Sequence, residues 1–253
     1  MSISRESDFK GMAGVSHAVA HTLKEMQARA VPGITTKELD DLGDAILKSF
    51  GARSAPRLTY NFPGATCISV NEAFCHGIPS SNTVLKQGDL VNIDVSAELD
   101  GYWSDNGASF VIGNDVNKHQ SLVDASKLIL VAAIDQIKGG VKIAELGGWI
   151  EHRAKQFGFK VIRNLTGHGV GRSLHEHPSY IANYRDSSNA QRFTKNSVVA
   201  IETFIATTSS MAVTAGDGWT LVGNRGGFMA QHEHTIVVTD GKPIILTADN
   251  GIS

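Results

Sequence analysis

Two apolar strands in this chain each carry one acid where a buried strand would normally carry none. Val91-Asn92-Ile93-Asp94-Val95 and Val199-Ala200-Ile201-Glu202-Thr203 follow the same pattern. An ionised carboxylate inside a core is prohibitively costly unless a partner or a cation compensates it. The pattern therefore asks for a fold that brings both strands to one internal, metal-holding site.

The likeness extends beyond these strands. Gly33 to Gly51 aligns without a gap on Gly140 to Gly158, sharing terminal glycines, a Glu-Leu pair, a Lys and a Phe-Gly ending. His76-Gly77-Ile78 likewise answers His168-Gly169-Val170, which makes His76 the expected counterpart of His168. A long period covering helices and strands predicts a duplicated half-domain rather than a solenoid of short repeats. One catalytic domain is expected over 1–253, built from two pseudo-symmetric halves, about 1–113 and 114–253.

Composition narrows the function classes. A formal net charge of -2 over 253 residues leaves no electrostatic footprint for nucleic acid or an acidic membrane. The longest apolar stretch, Leu128 to Ile134, falls far short of the roughly 20 residues a membrane span needs. Cys67 and Cys75 are too few for a disulfide scaffold and lack zinc-knuckle spacing. The N-terminus alternates charges and shows no secretory signal, so reduced thiols and a cytoplasmic protein are expected.

Apolar residues at three- and four-residue steps predict a first helix over about 4–29, and Thr35 with Glu38 forms a capping box for a second that ends at Gly51. Helices at about 118–138 and 143–157 repeat the plan. Strands are expected at 66–70, 90–97 with 101–112, 160–164, 197–207, and 229–239 with 243–247. Asp100-Gly101 and Asp240-Gly241 are hairpin turn signals, and 86–89 and 216–227 read as surface loops.

If Asp100-Gly101 forms a two-residue turn, Asp94 faces Gly107 and Asp105 lies diagonally across the same face, about 7 to 8 Å away. Glu202 and Glu233 supply the complement. In Ala230-Gln231-His232-Glu233-His234-Thr235, the two histidines share one face of a strand and Glu233 points opposite. The imidazole that completes the set is His168, in Thr166-Gly167-His168-Gly169, whose glycines suit a loop approached closely by a ligand. His175 in Leu174-His175-Glu176-His177-Pro178 is near enough in sequence to reach the same cavity. Four carboxylates and a histidine exceed the needs of one tetrahedral zinc. They suit two divalent ions about 3.5–4 Å apart, bridged by carboxylates and a water whose pKa the ions lower. Hydrolysis of a carbonyl or phosphoryl bond is the expected chemistry.

Cys67-Ile68-Ser69-Val70-Asn71-Glu72 continuing to His76-Gly77-Ile78-Pro79, then Asn92-Ile93-Asp94-Val95, Thr166-Gly167-His168-Gly169-Val170-Gly171 and Glu233-His234-Thr235-Ile236 resemble the type I methionine aminopeptidases. The resemblance runs from about Pro32 to Thr247 and implies an α+β, duplicated pita-bread fold. By position, it implies that Asp94 chelates one metal, that His168 and Glu202 bind the other, and that Asp105 and Glu233 bridge both. It further implies that His76 and His175 contact the substrate amide and stabilise the tetrahedral intermediate, while Glu202 assists proton transfer. Phe62, Cys67, Leu174 and Trp219 fall where the family places its methionine pocket.

The same resemblance implies two divalent ions (Mn, Fe, Co or Zn) and removal of initiator methionine before a small residue. It also implies nascent chains and N-terminal Met peptides as partners, with transient ribosome contact. The chain resembles the short bacterial subgroup, and a monomer is expected. Departures are Thr203, where relatives usually have Pro, Asn106, where Thr is common, and Leu174, where many carry an aromatic. Two other readings stay open: an Xaa-Pro peptidase or prolidase with the same ligands, and a metal-free binding protein on the same scaffold.

Overall fold

Helix formation follows the 3.6-residue apolar spacing: Met12, Val15, Val19, Leu23 and Met26 form the buried stripe of α1 (Glu6–Arg29). At the start of α2 (Thr36–Ser49) the Thr35 hydroxyl accepts from the Glu38 N–H at 3.1 Å and the Glu38 carboxylate accepts from the Thr35 N–H at 2.8 Å. This is the reciprocal box that the sequence predicts. Beyond β1 (Arg53–Ser54) stands a six-residue helix, α3 (Ala55–Tyr60), that sequence reading misses. It is too short to display a period.

The computed structural model describes residues 1–252. After α3 come β2 (Cys67–Val70), β3 (Ala73–Cys75), β4 (Leu90–Leu99) and β5 (Tyr102–Val111). Then follow α4 (Gln120–Ile134), α5 (Ile143–Gln156), β6 (Lys160–Val161), β7 (Thr166–Gly169), β8 (Glu176–Ala182) and β9 (Val198–Ala206). The last elements are β10 (Ala212–Thr214), β11 (Leu221–Gly223), β12 (Met229–Val237) and β13 (Ile244–Ile245).

Ten strands form one antiparallel sheet whose main path runs β1-β4-β5-β12-β9-β7-β8. β2 also joins β4, β6 joins β9 and β13 joins β12. Helix α1 packs on β4 and β5 as α4 packs on β9 and β12, which gives the α+β pita-bread fold its internal twofold. β5 and β12 meet at the centre, where His232 lies opposite Ala108. The apolar core fills the space between helices and sheet, with Ile93, Ile201, Leu130 and Ile236 fully buried within it. β10, β11 and β3 form a separate small sheet.

At the first hairpin Asp100 and Gly101 have φ of 52° and 79°, the left-handed pair a type I′ turn requires. The ladder then runs unbroken from Leu99–Tyr102 to Leu90–Val111, and Asp94 faces Gly107 as the turn predicts. Four expectations need correction. The segment around His168 is a strand, β7, and not a loop: a Cβ on Gly167 would lie 2.5 Å from the Ala200 carbonyl oxygen, and one on Gly169 2.4 Å from that of His177. Those glycines let neighbouring strands close up. The 216–227 segment holds β11, the strand at 160–164 is confined to Lys160–Val161, and the helix expected at 118–138 runs only over Gln120–Ile134.

Candidate metal centre

The register of β9 on β12 sets Glu202 directly opposite Glu233 and Thr203 opposite His232. Side chains alternate across a strand, so one face of this pair carries two acids and the other carries Thr203 and His232. β5 brings Asp105 beside Glu233, and β7 adds His168 from the far edge of β9, opposite Ala200. Ligand atoms of Asp105, His168 and Glu233 lie within 4.8 Å of one another. The Nε2 of His168 stands 3.8 Å from both Asp105 Oδ2 and Glu202 Oε1. Asp94 of β4 lines the same cavity of about 330 Å³.

Burial raises all four carboxyls. The walls of the cavity push Asp94 up to about 6, against the lowering effect of a bond with Asp105. Asp105, Glu202 and Glu233 rise well above the usual carboxylate range, through lost hydration first and the charges of the other acids second. His168 is driven the other way, to about 3, by burial and then by the His175 charge. It is therefore a neutral imidazole at pH 7.

Its tautomer follows from its neighbour. Nδ1 lies 3.0 Å from the Gly169 carbonyl, which can only accept, so the proton sits on Nδ1 and Nε2 offers a lone pair to the acids. Asp105 Oδ1 and Glu233 Oε1 are buried without any hydrogen-bond partner, which few buried polar atoms tolerate. Oxygen-rich, sulfur-poor and short of protons, this set fits hard or borderline divalent cations.

The other predicted residues divide. His76 follows β3 at φ 55° and lines the cavity, and lost hydration followed by the His175 charge lowers its pKa. It is not the counterpart of His168. His168 pairs with Ala200 of β9, and the matching residue of β4, Asn92, pairs with Ser69 of β2. His76 instead lies on the chain returning beside β2, where Gly77 donates to Ser69 Oγ at 3.0 Å. His175 immediately precedes β8, and its ring lies 4.1 Å, centroid to centroid, from that of His168. Phe62, Cys67, Leu174 and Trp219 all line the cavity, and Phe62 meets Trp219 edge to face at 5.2 Å. Both cysteines are buried and free.

Several contributors escaped sequence reading. Gln231 donates from Nε2 to Glu233 Oε2 at 3.0 Å and to Glu202 Oε2 at 3.3 Å, while its Oε1 accepts from Asn92 Nδ2 at 2.7 Å. It lies over Gly107, where an added Cβ would stand 2.3 Å from Oε1. A glutamine two residues before a ligand is the only local signal, since its partners are remote in sequence. Tyr60 and Cys75 also line the cavity. On the opposite face Thr203 Oγ1 and His232 Nδ1 both reach Ser126 Oγ of α4, at 3.1 and 3.0 Å.

Known proteins resemble this chain over nearly its whole length. The model of metallopeptidase family M24 matches residues 10–240. Methionine aminopeptidase 2 of Bacillus subtilis (strain 168) is 44% identical over 98% of this chain and 99% of its own length. The crystal structure of a Thermotoga maritima methionine aminopeptidase superposes with a TM-score of 0.93 at 34% identity, covering 98% of this chain and 99% of that one. A Pyrococcus furiosus prolidase, 20% identical with a TM-score of 0.77 over 97% of this chain and 65% of the prolidase, shares the fold alone. The chain belongs to metallopeptidase family M24, among its methionine aminopeptidases.

Proposed function

We propose that this protein is a type I methionine aminopeptidase of the short bacterial subgroup, which hydrolyses initiator methionine from nascent chains and peptides whose second residue is small. One observation carries the reading: two partnerless carboxylate oxygens, of Asp105 and Glu233, sit buried close to His168, and Asp105 and His168 line a cavity that Phe62, Cys67 and Trp219 also line. Asp94, Asp105, His168, Glu202 and Glu233 would hold two divalent ions, drawn from Mn, Fe, Co or Zn. When bound, such ions polarise the scissile carbonyl and lower the pKa of a bridging water.

The protein's own groups supply the rest. His76 and His175, which both line the cavity, would donate to the substrate amide and to the developing oxyanion, where a donor in a partly dry cleft is worth more than in water. Glu202 takes the proton from the attacking water, and Gln231 holds its carboxylate in place. Phe62, Cys67, Leu174 and Trp219 offer an apolar slot with sulfur and aromatic edges that suits a thioether. The domain, read as two halves over 1–113 and 114–253, acts as a cytoplasmic monomer that meets ribosomes transiently. Among the described residues no helix is long and apolar enough to cross a membrane.

The test is hydrolysis of Met-Ala-Ser against an Ala-Pro peptide, with Mn, Co or Fe added after gentle purification. Preferential cleavage of the methionyl peptide is expected. Preference for the proline peptide would move the protein to the Xaa-Pro peptidases. No cleavage together with no tight metal would make it a binding protein.

A further inference from the structure

The second cavity imidazole has a neighbour that the first lacks. Tyr60 Oη lies 2.7 Å from His175 Nδ1, and the two rings are 5.9 Å apart, centroid to centroid. The phenol is placed there by a fastened segment. Ser54 caps α3, accepting from the Arg57 N–H at 3.4 Å, and its hydroxyl donates to the Ala65 carbonyl at 2.7 Å. Arg57 binds Asp44 of α2 at 3.0 Å and approaches Asp40 at 3.8 Å. Asp40 Oδ1 in turn accepts from the N–H groups of Ala65 and Thr66 at 2.9 and 2.8 Å. Asn61, at φ 55°, ends the helix just after Tyr60, so the ring leaves α3 at its last residue and points to the cavity mouth.

The partners of the two imidazoles differ in kind. A backbone carbonyl can only accept, so Gly169 fixes the proton of His168 on Nδ1. A neutral phenol has an acidic O–H and an oxygen whose lone pair is drawn into the ring, so it donates more readily than it accepts. We propose that Tyr60 is a positioning residue that donates its hydroxyl to His175 Nδ1 and thereby holds His175 as the Nε2–H tautomer, opposite to His168. The consequence is a division of labour between two rings in contact: His168 presents a lone pair from Nε2, and His175 presents a proton from Nε2 for the oxygen of the substrate. No covalent bond changes and no proton leaves the pair.

The inference rests on the proposed peptidase reading for its catalytic meaning, but the tautomer can be read without substrate. The experiment is nitrogen NMR of the zinc-loaded, histidine-labelled protein and of its Tyr60→Phe variant, with turnover of Met-Ala-Ser measured on both. Tyr60 is exposed at the mouth, so the variant keeps the fold, and an unchanged His168 signal verifies that. Expected are a wild-type His175 protonated on Nε2 and a variant in which the two tautomers mix. Expected too is a fall in kcat of about tenfold with KM within about twofold, as loss of an orienting partner gives. His175 protonated on Nδ1 in the wild type, or the same tautomer population in both proteins, would overturn the proposal. A wild type that carries the expected tautomer yet leaves methionyl peptides intact would retain Tyr60's role and sink the peptidase reading instead.

Discussion

The two faces of the β9–β12 pair share strands, burial and register, and they end in opposite electrostatic states. On the back face His232 bonds Ser126, Thr203 bonds Ser126, and His234 is held at both nitrogens, by Thr247 Oγ1 at 2.8 Å and the Ile252 carbonyl at 3.2 Å. Thr203 Oγ1, His232 Nδ1 and both ring nitrogens of His234 have partners there. On the front face Glu202 and Glu233 share one amide from Gln231, and Glu233 Oε1 has nothing. His168 and His232 are both pushed to about 3 by burial, yet only His168 keeps a nitrogen free toward a cavity. Burial alone therefore does not mark function; here it is two unsatisfied acids gathered at one point, Asp105 and Glu233, that do, whereas the lone unsatisfied oxygen of Asp40 has Arg57 3.8 Å away.

The largest expected effect separates the faces outright. Glu233→Gln should cost at least about 100-fold in manganese affinity, measured by calorimetry, and reduce peptide turnover about 1000-fold, because it removes an anionic ligand while keeping shape. The metal-free variant should melt no lower than wild type, since a strained carboxyl has gone. A variant that binds manganese normally would erase the distinction between the faces.

Asp94→Asn sharpens the electrostatic side. The carboxyl titrates near 3.8 unfolded and about 6 folded, so between those values the folded state holds the extra proton and wild-type stability falls as pH rises. In metal-free protein the variant should gain on wild type progressively through that window and level off above it. Denaturant titrations at pH 4, 5, 6 and 7 read this. A difference that stays flat would mean that Asp94 is not desolvated.

On the satisfied face the expected losses are in stability and not in metal. Ser126→Ala strands His232 Nδ1, while the Thr203 hydroxyl keeps the Ser126 carbonyl at 3.2 Å, and should cost about 1–3 kcal/mol in denaturant unfolding, with manganese affinity within about threefold. Thr203→Val keeps the shape and loses only the hydroxyl, for about 1 kcal/mol. Loss of metal in either variant larger than tenfold would show that the back face sets ligand positions.

Much of this was legible because it is local or periodic. The Asp100-Gly101 turn fixed the β4–β5 register and hence the side on which Asp94 and Asp105 project, and alternation alone put Glu233 opposite His232 and His234. Repeat matching found both acid-bearing strands but misled at His76. Sequence likeness paired His-Gly with His-Gly, while the strand registers make Ser69 the equivalent of His168, because His76 lies on the chain that returns beside β2, as β8 returns beside β7. Tyr60 and Gln231 were illegible for another reason: the first sits on a helix too short to show a period, and the second acts through Asn92, far away in sequence.

Anomalous scattering from a crystal soaked in manganese tests the central claim most directly. Two peaks are predicted in the cavity, one held by Asp94, the other by His168 and Glu202, with Asp105 and Glu233 between them. A cavity without manganese, or a lone ion bound elsewhere while these carboxylates turn to other partners, would contradict the account.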